Sequence, residues 1–143
     1  MRELSPARKR TIELQDRAIA FSIAVNAACP EQFSHIPSRT VWEQLVRAAD
    51  STSNNLVEAD DASGDADFVY KMRVALREAK ESLTCLRKIR LGRLAHHDKL
   101  DGLEQEAWEL SRIFATIVIN TEDRLARQKA EREGLEPQKR RRL

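Results

Sequence analysis

The stretch DGLEQEAWELSRIFATIVINTEDRLAR, residues 101–127, decides the fold. Within it Leu103, Ala107, Leu110, Phe114, Ile117 and Thr121 recur at alternating steps of four and three. That is the period of one face of an α-helix, whereas a strand would alternate at every second residue. Ile113 and Val118 widen the stripe beyond two positions per heptad, the width a helix needs to pack against two neighbours in a bundle. After Gly102 neither Gly nor Pro interrupts it. The whole chain is poor in both, with four of each among 143 residues, and all eight fall at or near plausible segment boundaries. Gly64, Gly92, Gly102 and Gly134 stand too far apart for a glycine-rich phosphate loop.

Working outward, the same period appears three more times. Ser5-Pro6 reads as an N-cap followed by Pro at the first helical position. Leu14, Ala18, Phe21, Val25 and Ala28 then mark a helix that stops before Cys29-Pro30. Pro30 and Pro37 bracket a loop, and Thr40 with Glu43 resembles a capping box opening a second helix with Trp42, Leu45, Ala49, Thr52 and Leu56 on its apolar face. The stretch 60–65 is a loop in which Ser63 or Asp65 can cap a third helix, whose buried face is Phe68, Met72, Ala75, Ala79, Leu83 and Leu86. The connection 93–99 holds His96-His97, and Asp98 or Asp101 can cap the fourth helix. The expectation is an all-α, single-domain, up-down-up-down antiparallel four-helix bundle. Its helices lie at about 6–28, 40–60, 65–91 and 99–127, preceded by a basic extension over 1–5 and followed by a basic, disordered tail over 128–143.

Composition agrees: 34% charged and 41% hydrophobic residues suit long solvated helices around one core. No apolar run reaches the roughly 20 residues of a membrane helix, and the charged start has no secretory apolar region behind it. Cys29 and Cys85 form no framework and read as reduced thiols of a cytoplasmic protein.

Enzyme chemistry finds no footing. A di-metal carboxylate bundle needs Glu-x-x-His on two helices, and no Glu here precedes a His by three. His35, His96 and His97 all fall in expected loops. Ser51 and Ser82 lack a nucleophile-elbow sequence and a nearby His. No metal, cofactor or catalytic residue is expected.

Charge is more informative. Residues 124–143 carry net +5, residues 1–10 carry +3, and the remainder is acidic, against a total of +2. Basic ends on an acidic body point to a polyanion. The tail contributes Arg124, Arg127, Lys129, Arg132, Lys139, Arg140, Arg141 and Arg142. On the third helix, at roughly 100° per residue from Met72, the residues Arg73, Arg77, Lys80, Arg87 and Lys88 fall together beside the apolar stripe, with Glu78 and Glu81 on the opposite flank. Plain solvation, phosphate contact and complementary edges between subunits all suit such a face. On the second helix Ser51, Asn55 and Glu58 share one face, and Asn54-Asn55 is costly inside a helix unless it has a hydrogen-bonding task. Trp42 and Trp108 suit core packing or interface anchoring.

The run Arg47-Ala-Ala-Asp-Ser-Thr-Ser-Asn-Asn-Leu-Val-Glu58 resembles the R-A-A-x-S-I-x-x-N-I-x-E-G signature of the small four-helix-bundle proteins encoded by intervening sequences in bacterial 23S rRNA genes. The accessory protein of diversity-generating retroelements is similar in fold. Asp67-Phe68 ahead of Arg73–Leu83 looks like the family's D-F-x-x-F-x-x-x-A…E segment, which places Ser51, Asn55, Glu58, Ala75 and Glu81 at motif positions. The likeness covers roughly residues 10–125; Ala59 replaces the signature glycine and Thr52 its isoleucine. It implies a homopentamer without enzymatic activity, nucleic-acid binding, and, through the retroelement protein, a reverse transcriptase as partner. The expected function is a non-enzymatic, oligomeric RNA- or DNA-binding or accessory protein acting through its basic surfaces. The alternative is a protein-interaction scaffold or reverse-transcriptase accessory subunit with no nucleic-acid specificity of its own.

Overall fold

Ser5 ends an extended N-terminal segment, and its hydroxyl accepts a hydrogen bond from the Arg8 N–H at 3.1 Å, with Pro6 following in the first turn. This satisfies one of the four N–H groups that a helix start leaves open. From there the computed structural model describes residues 2–95 and 100–134 as helices α1 (Pro6–Ala28), α2 (Ile36–Asp60), α3 (Asp65–Leu91) and α4 (Asp101–Glu133), with no strand among the described residues.

Cross-helix pairs set the directions. Arg8, at the start of α1, reaches Asp60 at the end of α2, and Lys71, early in α3, lies 3.3 Å from Glu58, late in α2. Arg90 and Arg73 of α3 pair with Glu104 and Glu122 of α4. Each helix therefore runs against the one before it, the up-down-up-down order expected of short connections. The packing is most extensive between α2 and α3, followed by α3 with α4 and α1 with α2; of the four seams around the bundle, α1 with α4 is the slightest.

The core follows the stripes. Ala18, Phe21 and Val25 of α1, Leu45, Ala49 and Leu56 of α2, Met72, Ala75, Ala79 and Leu86 of α3, and Leu110, Phe114 and Val118 of α4 are buried in one cluster. Thr52, Ser82, Ser111 and Thr121 are buried too; each hydroxyl donates to the carbonyl four residues earlier, so it needs no partner across the core. Trp42 is fully buried.

Several expected boundaries move. Helix α2 starts at Ile36, not Thr40, because Pro37 occupies the first turn, where a missing N–H costs nothing. Glu43 belongs to no capping box and instead pairs with Arg39 one turn away at 3.0 Å. Gly64 takes the N-cap position of α3, and Ser63 donates its N–H to the Asp67 carboxylate at 3.1 Å. Helix α4 starts at Asp101 behind Leu100 and continues to Glu133, so residues 128–133 are helical where a disordered tail is expected. The helix stops at Gly134, whose φ of 67° is the left-handed conformation glycine accepts freely. The expected cap Asp98, the pair His96-His97 and the tail residues Lys139, Arg140, Arg141 and Arg142 lie outside the described residues.

Candidate nucleic-acid interface

The topology brings the two basic ends of the chain to one pole. Arg8 reaches the Asp60 carboxylate at 2.7 Å, and Arg124 lies 3.5 Å from Asp65. Asp60 and Asp65 flank the short α2–α3 loop, so the start of α1 and the late part of α4 bracket the same turn. Beyond Arg124 the last nine residues of α4 project about 13 Å past the start of α3. Arg127, Lys129 and Arg132 are exposed on that projection, while Arg2, Lys9 and Arg10 are exposed at the α1 start. Asp60 and Asp65 are tied to arginines, while Asp61, Glu131 and Glu133 are exposed among the same cations, so the pole mixes both signs.

The basic flank of α3 is exposed along its length: Arg73, Arg77, Lys80, Arg87 and Lys88 all face solvent. Their uses differ. Arg73 is committed to Glu122 of α4, and Arg77 lies 3.9 Å from Glu78. Lys80, Arg87 and Lys88 have no ion pair among the described residues. At the far end Arg90 holds Glu104 through two parallel bonds of 2.8 and 2.9 Å. That fork keeps the Glu104 carboxyl below its ordinary range. The opposite flank behaves differently. Glu78 is half-buried, and burial, reinforced by neighbouring Glu81, pushes its carboxyl above the ordinary range.

The motif residues of α2 do not form one network. Asn55 donates its side-chain amide to the Ser51 carbonyl at 2.8 Å and to the Ser51 hydroxyl at 3.0 Å, both within α2. This is the hydrogen-bonding task that makes an asparagine tolerable there. Glu58 turns to Lys71 of α3, and Glu81 is exposed beside Glu78. The structure joins Ser51 to Asn55, gives Glu58 a separate partner on α3, and leaves Glu81 on the outer flank.

Other features lie outside the sequence reading. Arg17 of α1 pairs with both Glu106 and Glu109 of α4. Ser22 of α1 donates to Asp50 of α2. Trp108, unlike Trp42, is 46% exposed, with the Arg112 guanidinium 5.0 Å from its ring centre. Among the described residues no group of His, Cys, Asp and Glu could hold a metal ion, and no helix is long and apolar enough to cross a membrane.

The model of the 23S rRNA-intervening sequence protein family matches residues 10–141. The chain belongs to that family. A solved structure from the S23 ribosomal protein family of Bacteroides thetaiotaomicron, described as a protein of unknown function, is similar at 19% identity, covering 76% of this chain and 96% of that one with a TM-score of 0.65. At that identity the likeness speaks for the fold alone. No curated protein matches the chain. The family match spans all of the described bundle from Arg10 onward, so both the basic flank of α3 and the projecting end of α4 lie within the 23S rRNA-intervening sequence protein region.

Proposed function

We propose that this chain is a non-enzymatic, oligomeric, cytoplasmic protein that binds structured RNA through basic surfaces. The observation that carries the reading is the convergence of Arg2, Lys9, Arg10, Arg127, Lys129 and Arg132 on one pole, where two of the neighbouring acids, Asp60 and Asp65, are held by Arg8 and Arg124. Cations collected at one end, of which Lys9 also pairs with Glu3 at 3.4 Å, attract phosphate without reading bases. Membership of a family named for 23S rRNA intervening sequences supports RNA over other polyanions.

A filter-binding titration against structured RNA at two salt concentrations tests it. Affinity falls steeply with salt, and charge reversal at Arg127, Lys129 and Arg132 weakens binding and flattens the salt slope. Binding indifferent to salt and to those residues would refute the electrostatic reading.

Self-assembly has its own support. The C-terminal half of α1 carries an exposed apolar patch, with Ile23 61% and Ile19 39% exposed and Ala20, Ala24 and Ala27 beside them. Large apolar side chains exposed side by side on one helix mark a face that a partner covers. A second copy of the chain is the occupant we assign to this face, and a ring would multiply the charged poles. Light scattering decides: an Ile23→Glu variant dissociates to monomer, and a wild-type monomer removes the oligomeric part of the reading.

A further inference from the structure

Four residues of the α3–α4 seam bring an exposed aromatic ring together with three cations. The ion pairs Arg90–Glu104 and Arg73–Glu122 fix the register of α3 against α4. In that register Arg87 lies level with Trp108, and Lys80 lies two turns along, about 10.5 Å away on the axis. Trp108 and Arg112 are one turn apart on the outer side of α4. Both carboxylates that pin the seam are already paired with arginines, so neither opposes an incoming phosphate. Lys80, Arg87 and Arg112 have no ion pair among the described residues, and the Trp108 ring is half exposed with a guanidinium over it. The seam is thus an apolar aromatic plate among uncommitted cations, on two helices pinned at both ends.

We propose that Trp108 is a stacking platform for one unpaired base of bound RNA, with Arg87 and Lys80 holding the flanking phosphates. Arg112 is the exchangeable cover: an exposed cation–aromatic contact is weaker than stacking by a base, and the displaced guanidinium stays within reach of the same nucleotide. A duplex hides its base faces, so the platform selects single-stranded or splayed nucleotides. Charge complementarity favours this occupant over an apolar protein surface, which would leave three cations desolvated. The inference rests on the RNA-binding reading above and adds to it a site and a preference for unpaired bases.

The two tryptophans make the test direct. Trp42 is fully buried, so fluorescence changes on titration of the full chain report Trp108. A single-stranded oligoribonucleotide quenches the emission, and the same sequence as a duplex does not. Trp108→Ala removes the quench and weakens single-strand binding about tenfold with duplex affinity unchanged, whereas Trp108→Phe keeps most of the affinity. Arg87→Ala with Lys80→Ala weakens both forms of RNA and lowers the salt slope. If Trp108→Ala binds single strands like wild type while binding stays salt-dependent, the platform is refuted and the electrostatic reading stands. If wild type binds neither RNA, both fall. If Trp108→Ala instead changes the oligomeric state and leaves RNA binding intact, Trp108 is a subunit anchor and the platform is refuted.

Discussion

Arg17 of α1 and Glu106 of α4 approach to 2.6 Å across the least extensive seam of the bundle, with Glu109 at 2.8 Å from the same guanidinium. One arginine thereby carries the polar side of a seam that has little apolar packing to rely on.

Arg17→Ala therefore loosens α1 locally. Hydrogen exchange accelerates along α1 and in the first turns of α4, while α2 and α3 keep their protection. Global stability falls by no more than about 1 kcal/mol, since all three groups are part-exposed. Uniform acceleration across the four helices would contradict this local role.

The Arg90–Glu104 fork makes stability pH-dependent. Its hydrogen bond lowers the Glu104 carboxyl in the folded state, so the contribution is fully present above the unfolded carboxylate value of about 4.3 and is lost as pH falls through the folded value. Glu104→Gln lowers Tm at pH 7, and the deficit shrinks by pH 3. A deficit that is the same at both pH values rules out the ion pair as its source.

Glu78 has the opposite sign. Burial raises its folded value, so the folded state holds the proton more tightly and loses stability as pH rises from about 4.3 through that value. Glu78→Gln raises Tm at pH 7 and gives no gain at pH 4. Thermal melts at the two pH values decide it, and a loss at pH 7 would point to an ion pair instead.

Two buried aromatics separate in cost. Phe114→Ala empties a fully buried site and costs about 3–5 kcal/mol. Trp42 is as deeply buried, but its indole N–H is without a hydrogen-bond partner among the described residues. Trp42→Phe removes that desolvated donor along with part of the ring, and the two effects offset to within about 1.5 kcal/mol. Urea unfolding of both variants measures the contrast.

The end of α3 closes as a Schellman turn, with Arg93 donating to the Arg90 carbonyl and Leu94 to the Ile89 carbonyl. Arg93 takes the left-handed position with φ of 54°, a place glycine fills more cheaply. Gly92, one residue earlier, is needed for another reason: a Cβ there would meet the Lys88 carbonyl oxygen at 2.8 Å. Arg93→Gly stabilises by about 0.5–1 kcal/mol and Gly92→Ala destabilises by more. Chemical denaturation of the pair tests the assignment.

The stripes of α1, α3 and α4 were legible because burial imposes the helical period directly on residue choice. Boundaries were less so. Pro37 looks like a loop residue until its place in the first turn is known, and Thr40 with Glu43 imitates a cap that Arg39 pre-empts. The apolar pattern fades after Leu125, yet Gln128, Lys129 and Arg132 are good helix formers that need no core, and Ala130 is itself buried. Grouping the cations of α3 on one flank required only the period of the helix. Separating committed Arg73 from uncommitted Lys80 and Arg87 required the neighbouring helix, as did the Arg17 clamp. Trp108 sits about 120° around α4 from Phe114, an angle that already sets it off the buried stripe.

Because the start of α1 and the end of α4 share a pole, the bundle is close to a closed circuit of helices. A chain joined between those ends and reopened within the Cys29–His35 loop would keep every helix seam and carry its free ends at the opposite pole. In such a permutant the cations of α1 and α4 stay where they are while the chain ends move away, so charge and the position of the ends become separable variables.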